Sequence, residues 1–231
     1  MTAIQTARER ARAELSIQIK AEARRQLAQE GAQRLSLRAV ARELGMASSA
    51  LYRYFASRDD LLTALIIDAY DAIGETAERA AARPLAGPRD RWRTCCHAVR
   101  GWALAHPHEY ALIYGSPVPG YQAPQETIVP ASRVAAVLGG LLADAWSDYP
   151  PGGAPPDDPL PSPLAGQAAR VAAAIAPGVP AAVLARGLIA WTQLFGMISF
   201  ELFGQLVGSA DPADAFFAYA VDQMTDFTGL A

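Results

Sequence analysis

An all-α fold is the prediction of three observations. Alanine and leucine dominate a chain that is 52% hydrophobic and 19% charged, apolar residues recur at helical three- and four-residue spacing, and β-branched residues never gather into alternating runs. The 231 residues are ample for a sizeable core. The charge is unevenly placed: residues 1–64 carry 11 Arg/Lys against 7 Asp/Glu, the remainder 9 against 16. A basic head on an acidic body points to a polyanion as partner of the head. The two cysteines are adjacent, Cys95 and Cys96, which suits no disulfide framework and fits a reducing compartment. Met1 to Glu14 is charged without an apolar core, so no secretory signal is expected there.

Taken in order, a first helix is predicted over about Thr6–Gln29, with Leu15, Ile19, Ala23 and Leu27 as its apolar stripe. Gly31 ends it. Ser36 is a good N-cap for a short helix in which Leu37, Val40, Ala41 and Leu44 form the i, i+3, i+4, i+7 face. Gly45 supplies the turn. A third helix, about Ser48–Phe55, buries Leu51 and Phe55 and turns Ser48, Ser49, Tyr52 and Arg53 outward. Ser57 caps a long fourth helix to about Ala82, with Asp59 and Asp60 at its positive end.

After Pro84, Gly87 and Pro88 comes a helix to His106 with Trp92, Cys95, Val99 and Trp102 on one side. His106-Pro107 breaks it, and a short helix or turn, Glu109–Tyr114, follows. Gly115–Pro130 reads as an ordered loop and Ala131–Trp146 as a helix. Prolines crowd Tyr149–Pro163, which is expected to be a flexible loop within the body. Helices of about Leu164–Ile175, Ala181–Val207 and Pro212–Thr228 complete the chain, the last with Asp211 at N-cap and Pro212 at N1. The expected division is a helix-turn-helix domain over 1–57 and a helical effector-binding and dimerisation domain over 58–231. The uncharged run Gly187–Phe200 is shorter than the roughly 18–20 residues of a membrane span, so no membrane partner is expected.

The second and third helices carry the chemistry. A helix-turn-helix works because one short helix braces another against the major groove. Small Ser48 and Ser49 permit close approach to base edges, while Tyr52, Arg53 and Tyr54 can donate to phosphate oxygens. Arg58 adds a cation beside helix N–H groups. With Ser36 and Arg38 these residues form the candidate set for contact with double-stranded DNA.

No enzyme is expected. The chain has no Gly-x-Ser-x-Gly elbow, phosphate loop or dinucleotide fingerprint, and paired carboxylates such as Asp157 and Asp158 lie in the proline loop, where nothing desolvates them. Nor is a metal or other cofactor expected: Cys95 and Cys96 point about 100° apart on a helix, and His97, His106 and His108 complete no ligand spacing.

The stretch containing Ala41, Leu44, Gly45, Met46, Leu51, Tyr52, Tyr54, Phe55, Arg58, Asp59 and Leu61 resembles the TetR family of transcriptional regulators, departing from its pattern at Ala47, where a Ser or Thr usually caps the recognition helix. Ser48 is the alternative cap. Trp102 to Tyr121 and the Trp191-Thr-Gln-Leu-Phe-Gly-Met run resemble a TetR C-terminal domain named for Trp-His-Gly. The resemblance implies an all-helical cytoplasmic homodimer on a palindromic operator. Most such proteins are repressors, in which a small-molecule effector changes the spacing of two DNA-reading heads.

It further implies a four-helix dimer bundle from the last two helices. Leu184, Leu188, Trp191, Phe195, Phe217, Val221 and Met224 are its candidate members, with Gly196, Gly204 and Gly208 allowing close approach. Trp102, His106, Tyr110, Tyr114, Trp191, Phe195 and Phe200 are the effector candidates, and their scarcity of cations favours a largely apolar effector. The alternative is a helical ligand-binding or scaffold protein whose head no longer binds DNA.

Overall fold

A computed structural model describes residues 3–84, 87–147 and 160–230 of the chain. Among them are ten α-helices: α1 Ala3–Glu30, α2 Leu37–Glu43, α3 Ser48–Leu51, α4 Arg58–Ala81, α5 Pro88–Ala105, α6 Pro107–Tyr114, α7 Ile128–Ser147, α8 Ser162–Ile175, α9 Ala181–Leu202 and α10 Asp214–Thr228. Most of the proline-rich loop expected over 149–163, with Asp157 and Asp158, lies outside the described residues.

The helices group into two compact units. One comprises the chain up to Tyr70 together with Pro107–Ile128, the other Asp71–His106 together with Val129 onward. The first half of α4, all of α6 and the following loop belong with the helix-turn-helix, because α2 and α3 are too short to bury a core alone.

In the first unit Ile19, Ala23 and Leu27 of α1 meet Leu37, Val40 and Ala41 of α2, Leu51 of α3, and Leu61, Leu62, Leu65 and Ile66 of α4 in one core. Leu15 is only half-buried. Gly31, at φ 79°, lets the chain leave α1 by a single 3-10 turn, Ala32–Arg34. Ion pairs the sequence reading missed join three helices. Asp68 of α4 accepts from both Lys20 and Arg24 of α1, and Arg24 also donates to Glu109 of α6 at 2.9 Å. On the loop after α6, the Tyr121 hydroxyl meets that of Thr63 at 2.8 Å.

The second unit packs α5, α9 and α10 together and α8 against α9. Trp92, Cys95, Val99 and Trp102 are buried on α5, the side their spacing selects. Arg100 is buried too, stabilised by Glu201 at 2.6 Å and Asp214 at 2.8 Å. Gly139 of α7 faces the carbonyl of Ile175 so closely that a Cβ would stand 2.9 Å from it, a reason for glycine in a helix interior.

Three boundaries differ from expectation. Helix α7 starts at Ile128, since Pro130 falls in the first turn, where its missing N–H costs nothing. Helix α9 ends at Leu202 because Gly204 and Gly208 take positive φ in the following turns. Those two glycines therefore stop a helix, whereas a Cβ on Gly196 would meet open space. Helix α10 starts at Asp214, with Ala213 at N-cap, so Asp211 and Pro212 precede the cap. By length and composition 125–147 and α9 could cross a membrane. Half of the α9 window is buried within the unit, as a core helix is.

Burial sets the reactivity of both cysteines. It raises the Cys95 thiol to about 12 and holds Cys96 well above its usual value. Near pH 8 neither forms appreciable thiolate. Titration with a chromogenic disulfide reagent is expected to count no fast thiol in the native protein and two after denaturation; two fast native thiols would contradict this packing.

Candidate DNA-contacting face

The Ser36 side chain accepts from Ala39 N–H at 3.4 Å and so caps α2. Gly45, at φ 64°, closes α2, and Met46 N–H bonds back to Ala41 C=O at 2.8 Å. The chain is thereby turned so that Leu51, fully buried, faces α2.

The regular part of α3 is only Ser48–Leu51, shorter than the helix expected to reach Phe55. Turns continue it: Tyr54 N–H bonds to Leu51 C=O at 2.8 Å and Phe55 N–H to the same oxygen at 3.2 Å. Ala47 occupies the N-cap and offers no side-chain bond; its carbonyl accepts from Ala50 at 2.9 Å. Ser48 is the first helical residue, so the cap does not move to it. Its hydroxyl, like that of Ser49, makes no hydrogen bond among the described residues, and both side chains are exposed.

The eight sequence-selected residues fall into two groups. Arg38, Ser48, Ser49, Tyr52 and Arg53 are exposed. Ser36, Tyr54 and Arg58 are half-buried and have work inside the unit. Tyr54 packs on the core beneath the Arg12 guanidinium, 5.5 Å from its ring centroid. Arg58 donates to Ala32 C=O at 2.8 Å and Leu35 C=O at 3.1 Å. It therefore ties the start of α4 to the turn before α2. Arg12 also donates to Arg53 C=O at 3.1 Å. Sequence reading missed it, since several arginines share α1 and nothing in their spacing singles one out.

The effector candidates divide between the units. Tyr110 and Tyr114 belong to the first, where Tyr110 is fully buried and Tyr114 stands edge-on to Tyr70 at 6.0 Å. Burial beside two other tyrosines pushes the Tyr114 hydroxyl far above its usual pKa. In the second unit Trp102 is stacked on exposed His106 at 5.1 Å. Trp191 lines a space of about 20 Å3 with Leu138, Leu142, Ile175, Leu184 and Leu188. That holds roughly one water, so this space must widen to admit an organic molecule. Phe200 is 55% exposed and lines no part of it.

Leu184, Phe195, Phe217, Val221 and Met224 are buried within the protomer, and Leu188 and Trp191 are half-buried. Sequence periodicity finds an apolar stripe but not which of two stripes faces inward. The opposite face of α9 exposes Ile189, Gln193, Phe200 and Phe203, with half-exposed Gly196 between them, at spacings of four, three, four and three. On α10 Phe216, Tyr219 and Phe227 are exposed.

A capped brace helix, a glycine turn and an exposed polar helix edge pinned by one leucine define a helix-turn-helix protein with a helical companion unit. Residues 19–65 match the family described as bacterial regulatory proteins, tetR family, and residues 92–224 the tetracyclin repressor-like C-terminal domain. The HTH-type transcriptional regulator Rv1816 of Mycobacterium tuberculosis is 38% identical over 225 residues, 94% of this chain and 87% of that protein. A solved structure of the regulatory protein SCO4313 aligns with TM-score 0.78 and 33% identity over 94% of this chain and 98% of its own. A TetR family transcription regulator from Marinobacter aquaeolei VT8 shares the fold at TM-score 0.60 and 17% identity, covering 96% and 97%. The chain belongs to the TetR family of transcriptional regulators, whose members bind DNA and small-molecule ligands and are dimeric.

Proposed function

We propose that the protein is a cytoplasmic homodimeric repressor that sits on a palindromic operator and is released by a small, largely apolar effector. The observation that carries the DNA contacts is the exposed edge of Ser48, Ser49, Tyr52 and Arg53 above buried Leu51. Ser48 and Ser49 are small, exposed donors at the start of α3, the end that enters the groove in this motif. Arg53, Tyr52 and Arg38 supply phosphate contacts that fix register. Ser36, Tyr54 and Arg58 hold the edge in position.

The dimer face we assign is the outward stripe of Ile189, Gly196, Phe200 and Phe203 with Phe216, Tyr219 and Phe227. The seven-residue repeat on α9 is that of helices meeting in a bundle. An effector would part α7, α8 and α9 beside Trp191, where the lining is apolar. The reading is tested by capturing genomic fragments on the purified protein, sequencing them and mapping protection. Two symmetric protected half-sites, released by an apolar compound that the protein binds, are expected. Absence of any enriched fragment would favour a scaffold, and a lone half-site would contradict the proposed symmetry.

A further inference from the structure

In the second unit, α4 and α5 leave an open trench of about 700 Å3 between them. Each helix lines it with one stripe. Thr76, Arg79, Ala80 and Arg83 follow i, i+3, i+4, i+7 spacing along and just past α4, and Asp90, Arg93, Thr94, His97 and Ala98 follow the same pattern on α5. Ala80, Ala98 and Thr94 are short, which is why the helices leave space. The lining itself carries three guanidinium groups and one carboxylate, and two of the three guanidinium groups are paired with carboxylates beyond it.

The three arginines differ in how far their donors are spent. Arg79 donates to Glu75 at 2.7 Å and to the Thr76 hydroxyl at 3.3 Å, and Arg93 stands 2.9 Å from Asp222 of α10. The Arg83 N–H donates to Ala80 C=O at 3.4 Å, and its guanidinium makes no hydrogen bond or ion pair among the described residues. Partial desolvation and the neighbouring Arg100 and Arg93 lower the His97 pKa, which favours the neutral ring, able to donate one hydrogen bond and accept another. A guanidinium fork matches a carboxylate bidentately. Forks on both walls, a short apolar floor and a volume far beyond that of an inorganic ion together describe a carbon skeleton with an acid group at each end.

We propose that this trench binds a small organic acid carrying two or more carboxylates. The site is separate from the apolar space beside Trp191 and does not rest on the repressor reading, since its test contains no DNA. Citrate and succinate are the probes, titrated calorimetrically into the full-length protein at constant ionic strength, with acetate and inorganic phosphate as comparison anions. Saturable binding of citrate or succinate is expected, with acetate at least tenfold weaker. Arg83→Ala, which removes no side-chain hydrogen bond or ion pair among the described residues, is expected to weaken the probe about tenfold or more. Thr94→Glu is expected to abolish binding by placing a carboxylate on the floor. Circular dichroism checks that both variants keep the wild-type fold and melting point. No binding at millimolar probe, or binding unchanged in both folded variants, would overturn the site. Phosphate binding as tightly as the polycarboxylates would overturn its chemical class.

Discussion

Phe200→Glu is expected to convert the dimer to monomers and cut operator affinity by about 10²- to 10⁴-fold. Phe200 is 55% exposed in the protomer, so the substitution leaves the protomer core intact and acts on the outward face of α9. Two glutamates brought near each other across a two-fold apolar interface would lose hydration and repel. A repressor dimer binds its second half-site as an intramolecular event, and losing that linkage removes the effective concentration of the second head. Sedimentation measures the mass, and gel shift on the captured operator measures affinity. Phe217→Ala should behave differently. It empties a buried site, lowers the melting temperature and leaves the outward stripe intact. A Phe200→Glu protein that remains dimeric with wild-type affinity would refute the assigned face.

Leu51→Ala carries the largest expected cost within the DNA-reading unit, about 2–5 kcal/mol, as for other buried leucines. Leu51 is the sole buried residue of α3, and a four-residue helix has no stability of its own in water. Removing the leucine frees α3 from α2 and α4, so Ser48, Ser49, Tyr52 and Arg53 lose their fixed positions together. Operator binding should fall below detection while circular dichroism retains most of its helical signal. Amide exchange should speed in 47–55. Retained affinity would mean that something other than Leu51 places the edge.

Much of the fold was legible because short-range chemistry decides it. Ser36, Gly45 and Gly31 act through local hydrogen bonds and φ, and each stands where expected. The buried stripe of α5 was likewise readable from Trp92, Cys95, Val99 and Trp102. What was not readable depends on partners distant in sequence. Arg58 is grouped with the phosphate contacts by its place in the sequence, whereas only folding brings the carbonyls of Ala32 and Leu35 to it. The burial of the dimer candidates depends on distant partners in the same way. Helix α9 is apolar on two faces, and only its packing on α10 and α8 shows that Leu184 and Phe195 turn inward while Phe200 turns outward. The joining of α6 to the first unit involves the same kind of contact, an ion pair between Glu109 and Arg24.

The central claim is that the exposed edge of α3 reads DNA in pairs. It is tested most directly by the salt dependence of operator binding for the wild type and Arg53→Ala. Each phosphate contact contributes roughly 0.9 to the slope of log K against log salt. Two copies of Arg53 per dimer predict a slope shallower by about 2 in the variant, with weaker binding at every salt concentration. An unchanged slope and affinity in Arg53→Ala would contradict the account.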